Sequence, residues 1–452
     1  MDCSSTPPHA CACYPGARLM GFNALASLPE DGPGEVEPAE VERGPGYGGR
    51  IKANGPDDWP TYRGDAARSG VTKAAVPAEL EPVWRRELGG ELTAPTIAGG
   101  KVYVASANEH EVHALDTETG ESKWRFTAGG RIDSPPTLHD GRAIFGCRDG
   151  YVYGVRASDG ALAWRLRAAR RERRIVANGQ LESASPVIGS VLIDDGIAYC
   201  TAGRSSYLDG GIDLCRVEPK TGEALSRTPV YSPDPETGMQ PPQSAPAVMP
   251  GARADILTSD DGHVYLRDMV FGKDGAPMDE GEPHIFTLTD FLDHSWAHRS
   301  YWMWGTIPSA NTGCSGRSRD LVFGRVLVTD ESAVYGYGRE QVHWSNMLED
   351  GPYRLFSVGL AEGAEGWEVD VPIQVRAMVL AGDVLFIAGP DENVGDPLVP
   401  SDMGALLMAI SAKDGSELAR YELDDTPLMD AMAAAGGKLY MVTEGGGVVC
   451  MG

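Results

Sequence analysis

The chain is short of positive charge. Among its 452 residues, Lys and Arg number 39 against 65 Asp and Glu, a formal net charge of −26. Such a balance repels phosphate backbones and argues against nucleic acid as a partner. Long hydrophobic runs are missing too: no stretch approaches the roughly 18 apolar residues that a membrane-spanning helix needs, so no transmembrane segment is expected. The eight cysteines, Cys3, Cys11, Cys13, Cys147, Cys200, Cys215, Cys314 and Cys450, form no Cys-x-x-Cys pair, which removes zinc-ribbon and thioredoxin readings. Phosphate-loop, Gly-x-Ser-x-Gly and Ser-x-x-Lys patterns are absent, so neither a nucleotide cradle nor a nucleophile elbow is indicated. The first 22 residues contain no basic n-region and no apolar h-region, and do not read as a signal peptide.

What is present is glycine and proline, 57 and 32 residues, which suit many turns between short strands. The turns recur. In "ALDTETGESKW" Gly120 precedes Trp124 by four residues, and in "ASDGALAW" Gly160 precedes Trp164 by four. Trp84 lies a further forty residues upstream of Trp124. A fixed period of this size marks a repeat architecture. The grammar is an apolar strand led by proline, a glycine turn, a "VYV"-like strand, a polar turn and a second such strand. It is clearest at 93–116 and 133–156, weaker at 184–203, 245–268, 319–338, 376–415 and 430–452, seven copies in all.

Three strands plus the tryptophan-bearing strand make a four-stranded antiparallel sheet, which cannot bury both faces alone. Sheets packed face to face around an axis form a β-propeller. The expected fold is therefore all-β, one propeller of seven blades with eight as the alternative. The repeats begin with the strand around Trp84 and stop after a third strand at Gly452. An N-terminal outer strand would then complete the last blade and leave no open edge. Trp84, Gly120, Trp124, Gly160 and Trp164 are expected to dock one blade on the next. The organisation expected is a cysteine-bearing stub at 1–27, reading as the tail of an upstream domain, a Gly/Pro/Glu linker at 28–57, and the propeller at 58–452.

"ALDTETGESKW", "ASDGALAW" and "WPTYRGDAARSG" resemble the PQQ-like β-propeller repeats of quinoprotein alcohol dehydrogenases and of the propeller lipoprotein of the bacterial outer-membrane assembly machine. "GRIDSPPTL", "GQLESASPV" and "AGRSSYLDGGI" look closer to a subgroup of large bacterial PQQ-like propeller proteins of unsettled function, in which a segment like "ACACYPG" can end a preceding domain. The resemblance implies a periplasmic, secreted or cell-envelope location. In the dehydrogenases it implies PQQ stacked between a tryptophan and a disulfide of adjacent cysteines, with calcium or a lanthanide nearby. This chain has no Cys-Cys dipeptide, and repeats alone say nothing about chemistry.

Three places stand out as candidate sites. "FLDHSWAHRSYWMWG", 291–305, carries Asp293, His294, Trp296, His298, Arg299, Tyr301, Trp302 and Trp304 and interrupts the repeat grammar. It reads as an inserted loop: an aromatic plug of the channel mouth, a small-molecule or glycan site, or a metal site, since His294 and His298 would share a helical face beside Asp293. "AGRSSYLDGG" offers Arg204, Tyr207 and Asp209, where Arg204 and Asp209 either pair across the loop or both face the funnel. Glu182 reads as a turn or inter-blade hydrogen bond. Cys11 and Cys13, beside His9, are weak soft-metal candidates. One basic run, "RLRAARRERR" at 165–174, is a solvated strand end or an anion contact. The leading expectation is a non-catalytic extracytoplasmic propeller that binds or scaffolds a protein or glycan partner and needs no cofactor. The alternatives are a quinoprotein-type oxidoreductase using PQQ and calcium, and a polysaccharide-binding or -processing protein.

Overall fold

In the computed structural model the described residues are 3–6, 23–26, 40–48, 53–177, 179–234, 236–239, 251–267, 269–286, 302–306, 321–343, 348–391 and 404–452. They contain strands and turns and no helix, and so no helix long and apolar enough to cross a membrane. Eight sheets ring an axis, and these are the blades. Blades 1 to 4 begin with the inner strands Thr96–Ala98, Thr137–His139, Leu192–Asp194 and Leu257–Asp260. Blades 6 to 8 begin with Val326–Thr329, Ala377–Ala381 and Pro427–Ala435. Blade 5 comprises three described strands, His284–Phe286, Trp302–Gly305 and Val322–Gly324.

Eight blades correct the reading of seven. The missing copy is blade 5, and part of it is the stretch read as an inserted loop: Trp302–Gly305 is a strand, paired with His284–Phe286 on one side and Val322–Gly324 on the other. Its strands lie far apart in sequence and lack the Gly-x-x-x-Trp element of the clearest repeats, so periodicity alone passes over it.

The ring closes between the two ends of the propeller sequence. Pro82–Glu87 pairs antiparallel with Gly447–Met451, setting Trp84 opposite Cys450, and supplies the fourth strand of blade 8. Within the segment read as a linker, Val41–Arg43 forms a fifth strand on blade 2, with Arg43 opposite Trp164.

Neighbouring blades are held by a repeated clasp. The fourth strand of one blade carries a tryptophan whose ring covers a turn glycine of the next blade. A Cβ on Gly120 would fall 2.6 Å from the Trp84 ring, and one on Gly160 2.6 Å from Trp124. Both glycines have left-handed φ, 68° and 74°, so glycine is required twice over, for the turn and for the close approach. Each indole N–H then donates to a carbonyl of that same turn: Trp84 to Thr117 at 2.9 Å, Trp124 to Ala157 at 3.0 Å, Trp164 to Pro219 at 3.1 Å and Trp367 to Ala412 at 2.9 Å. The contact is therefore between repeats, from the tryptophan of one to the glycine of the next.

Candidate functional site

Strands alternate in direction along each blade. Turns between first and second strands therefore gather at one end of the channel. Turns between second and third strands, and the connections from blade to blade, gather at the other. The first end is filled by the chain itself. Residues 57–72, "DDWPTYRGDAARSGVT" from Asp57 on, enter there and touch every blade.

The backbone of Trp59 exchanges two hydrogen bonds with Ile97 of blade 1, at 2.8 and 2.7 Å, and Pro60 accepts from Leu138 of blade 2 at 2.7 Å. The Arg68 guanidinium is fully buried and donates to Leu257 O of blade 4 at 3.1 Å, to Thr61 Oγ1 at 2.6 Å, and to Ser190 O and Val191 O beside blade 3 at 3.4 Å. Thr329 of blade 6 donates to Ser69 O at 2.9 Å. Val71–Thr72 runs parallel to Ala377–Ala381 of blade 7, and Asp57 O accepts from Gly436 of blade 8. Blade 5 meets the segment through Trp302, whose ring lies under Arg63 at 4.5 Å. A five-donor guanidinium suits this task, because carbonyls at the inner ends of many strands need donors and no water reaches them.

At the centre, Arg63 Nη1 is 2.5 Å from Asp430 Oδ1, with the two side chains 3% and 2% exposed. The Trp302 indole N–H donates to the other oxygen of Asp430, and Arg63 also donates to Leu327 O. Burial raises the Asp65 carboxyl above the usual range against the opposing hydrogen bonds from Ser69. Arg63 and Arg68 both sit at left-handed φ, 59° and 58°, an uncommon conformation for arginine that these buried bonds hold in place.

The structure distributes the sequence candidates as follows. Asp293, His294, Trp296, His298, Arg299 and Tyr301 lie outside the described residues, as do Cys11 and Cys13. Trp302 is fully buried in the channel, and Trp304 is half-buried against the same core. Arg204 and Asp209 do not pair with one another. Arg204 donates to Glu182 at 2.7 Å and to Ser183 O at 3.3 Å, while Asp209 accepts from Arg173 at 2.7 Å. Glu182 is 3.2 Å from Arg148, whose Nη2 is 2.6 Å from Asp133. This buried chain of charges links blades 2 and 3 at the second end of the channel. Burial lowers the Arg204 guanidinium, and the adjacent Glu182 carboxylate acts in the other direction. Tyr207 takes a place in the same loop, its N–H donating to Ser205 Oγ.

The basic run is spent on ion pairs: Arg165 with Glu42 at 2.7 Å, Arg170 with Asp213 at 2.6 Å and Arg173 with Asp209. The run also leads into a hairpin, Arg174–Ala177 with Gln180–Ser183. The hairpin leans over the second end and is held to blade 1 by Gln180, 2.6 Å from His110 and 3.3 Å from Asn108. Val176 and Leu181 face one another across it and are 78% and 55% exposed.

A family model described as outer membrane protein assembly factor BamB, of the PQQ-like repeat type, matches residues 70–262. The match spans the region in which the glycine–tryptophan repeats are clearest. BamB of Burkholderia pseudomallei is 26% identical over 153 residues, 34% of this chain and 36% of that protein. BamB of Nitrosomonas eutropha is 30% identical over 88 residues, 20% of this chain and 21% of that protein. The chain thus spans about a third or less of the length of these curated relatives. Among solved structures, the quinohemoprotein alcohol dehydrogenase of Comamonas testosteroni superposes with a TM-score of 0.55 at 14% identity, covering 87% of this chain and 80% of its own. A europium-containing methanol dehydrogenase gives 0.50 at 13% identity, with 86% and 90% covered. Likeness at this identity concerns the propeller fold alone.

The described residues of the channel do not fit PQQ with a calcium ion. Adjacent cysteines are absent from the sequence. The ring face of Trp302 is covered by Arg63, and both carboxylate oxygens of Asp430 are already engaged. Among the described residues no three His, Cys, Asp or Glu side chains converge as metal ligands.

Proposed function

We propose that the protein is a non-catalytic binding or scaffolding propeller of the bacterial cell envelope that presents its second, loop-built end to a protein partner. The observation that carries this reading is the filled channel. The position where a propeller of this kind could seat a small planar ligand is taken by Trp59, Arg63 and Arg68 of the chain itself, which leaves the outer surface for recognition. The match to an outer membrane assembly factor supports a protein as the partner and the envelope as the place.

The hairpin at 174–183 is the part of that end best suited to contact. Val176 and Leu181 project a paired apolar surface, and Arg173 and Arg174 beside them are open to solvent on an otherwise acidic molecule. An apolar pair rimmed by arginine fits an interface core with a polar border.

A photo-crosslinking residue introduced at Val176 or Leu181 in cells is expected to trap one defined protein, whereas the same residue at Met278, on the short outer strand of blade 4, traps none. In parallel, PQQ with calcium is expected to leave the melting temperature unchanged. A saturable rise with PQQ would overturn this reading, since a ligand bound to the folded state must stabilise it by mass action. A rise with an oligosaccharide and no crosslinked protein would replace the protein partner by a glycan.

A further inference from the structure

Blade 3 holds two cysteines that face each other. Cys200, in the second strand Ile197–Ala202, lies directly opposite Cys215, in the third strand Ile212–Val217. Both are 3% exposed and pack with Trp164 in the layer between blades 2 and 3. Residues directly opposed on antiparallel strands have Cα atoms about 4.5 or 5.5 Å apart, depending on the ladder position. Either spacing lies inside the roughly 4.4–6.8 Å that a disulfide bridges. The side chains leave the same face of the sheet, so the two thiols are neighbours.

The surroundings make the two sulfurs unequal. The Cys200 thiol beside it draws the Cys215 thiol below its usual range, helped by the Arg227 guanidinium, which sits opposite Cys215 on the fourth strand. The Cys200 thiol is pushed up by its Cys215 neighbour and by burial. The other two buried cysteines, Cys147 and Cys450, have no cysteine opposite them. Cys450 faces Trp84 on one side and Tyr440 on the other, and Cys147 lies just beyond the strand Arg142–Gly146.

We propose that Cys200 and Cys215 are the site of a cross-strand disulfide, formed by exchange with an external disulfide of the kind carried by thiol–disulfide oxidoreductases or by oxidised glutathione. As the chain folds, before the layer between blades 2 and 3 closes over the pair, Cys215, as thiolate, attacks one sulfur of the external disulfide and releases the first thiolate, leaving a mixed disulfide on Cys215. Cys200 then loses its proton, attacks the Cys215 sulfur and releases the second thiolate. The pair is oxidised by two electrons, the external disulfide is reduced to two thiols, and the protons given up by the two cysteines end on those thiols. The bond closes the base of the 203–211 loop. It thereby fixes at the second end of the channel the segment that sets Arg204 on Glu182 and Asp209 on Arg173. This inference stands on blade 3 alone and is independent of the proposed partner.

The test is a cysteine map of the whole chain. The protein is unfolded, refolded with oxidised and reduced glutathione, alkylated and digested with trypsin without reduction. Trypsin cuts at Arg204, between the two cysteines, so a bridge joins two otherwise separate peptides. The expected result is that the Cys200 and Cys215 peptides appear joined and two hydrogens lighter than the separated pair, with Cys147 and Cys450 alkylated. Reductant is then expected to lower the melting temperature of the oxidised wild type and to leave that of Cys200→Ser unchanged. Recovery of Cys200 and Cys215 both alkylated after oxidative refolding, or either joined to a different cysteine, overturns the proposal even if the serine variant fails to fold.

Discussion

Blades 1 and 2 hold their neighbours differently from blades 3 and 4. Blades 1 and 2 each present a tryptophan to the next blade's turn glycine and donate an indole hydrogen bond there. In blade 3, Ser226 occupies the place four residues after the turn glycine, so no indole reaches blade 4; hydroxyl bonds, Tyr199 to Lys273 O at 2.7 Å and Thr228 to Gly275 O at 2.8 Å, join the two blades there beside their shared apolar core and the Lys273 ion pairs. Blade 4 ends in an exposed two-residue outer strand, Pro277–Met278. The channel shows no such contrast, because every blade meets the segment at 57–72 there, blade 5 through Trp302 of its second strand. Outer-strand clasps thus hold blades 8, 1, 2 and 3 together, and blade 6 to blade 7, from the rim, while at the unclasped joints the channel segment bears more of the load.

This difference can be broken from either side. The largest effect is expected for Arg63→Ala, which leaves Asp430 buried and uncompensated. Removing one member of a buried ion pair costs about 3–5 kcal/mol. Denaturant unfolding should show the loss, and hydrogen exchange should accelerate first in blades 5, 6 and 8, where Trp302, Leu327 and Asp430 lose their partner. Trp164→Ala, which removes a fully buried ring, is expected to cost about 3–5 kcal/mol as well. Its faster exchange should be confined to blades 2 and 3. The matched substitution in the unclasped blade, Ser226→Ala, should stay within about 0.5 kcal/mol; a loss comparable with that of Trp164→Ala would erase the distinction.

Glycines sharpen the comparison. Gly160→Ala places a Cβ 2.6 Å from the Trp124 ring in addition to the left-handed penalty of about 1–2 kcal/mol. At Gly275, also left-handed at φ 84°, the nearest atom is the flexible Arg216 Cδ at 3.2 Å, so Gly275→Ala should lose only the backbone penalty. Thermal melts of the two variants should rank in that order.

The smallest effect is a pH dependence at the rim. The Asp116 carboxylate, in the turn that Trp84 clasps, is pulled down to about 2 by its hydrogen bond to Lys123 and by the Glu118 and Thr119 N–H groups. A depressed carboxylate stabilises the fold above its unfolded pKa, and that contribution is lost as pH falls through the folded value. Wild type should therefore lose slightly more stability than Asp116→Asn between about pH 4 and about pH 2, a difference that thermal melts across that range will detect.

Much of the rim was legible from residue order, because the clasp is built from a local pattern. Gly120 to Trp124 and Gly160 to Trp164 show the period, and Gly363 to Trp367 is a third copy with the same spacing that sequence reasoning missed. The pairing of the strand around Trp84 with the last strand also follows from counting strands. The eighth blade was hidden because its strands at 284–286, 302–305 and 322–324 are widely spaced in sequence and follow no Gly-x-x-x-Trp pattern. "WPTYRGDAARSG" was visible as an unusual stretch, but its role depends on contacts that no local pattern encodes: Arg63 meets Asp430 across 367 positions and Leu327 across 264. The same holds for Arg204, whose partner Glu182 belongs to the preceding connection, so neither of the two arrangements that the loop sequence offers, pairing with Asp209 or facing the funnel, includes it.

Closure by Pro82–Glu87 on Gly447–Met451 also has a consequence in time. During synthesis the channel segment and the closing strand emerge before any whole blade, yet the strands of blade 8 that complete their surroundings come after all the other blades. Until then Trp59, Tyr62 and Trp84 must wait on an incomplete ring, and loop closure over more than 360 positions makes the final step slow. The growing chain therefore passes through an open arc whose aromatic residues are sealed only when residues 447–451 arrive.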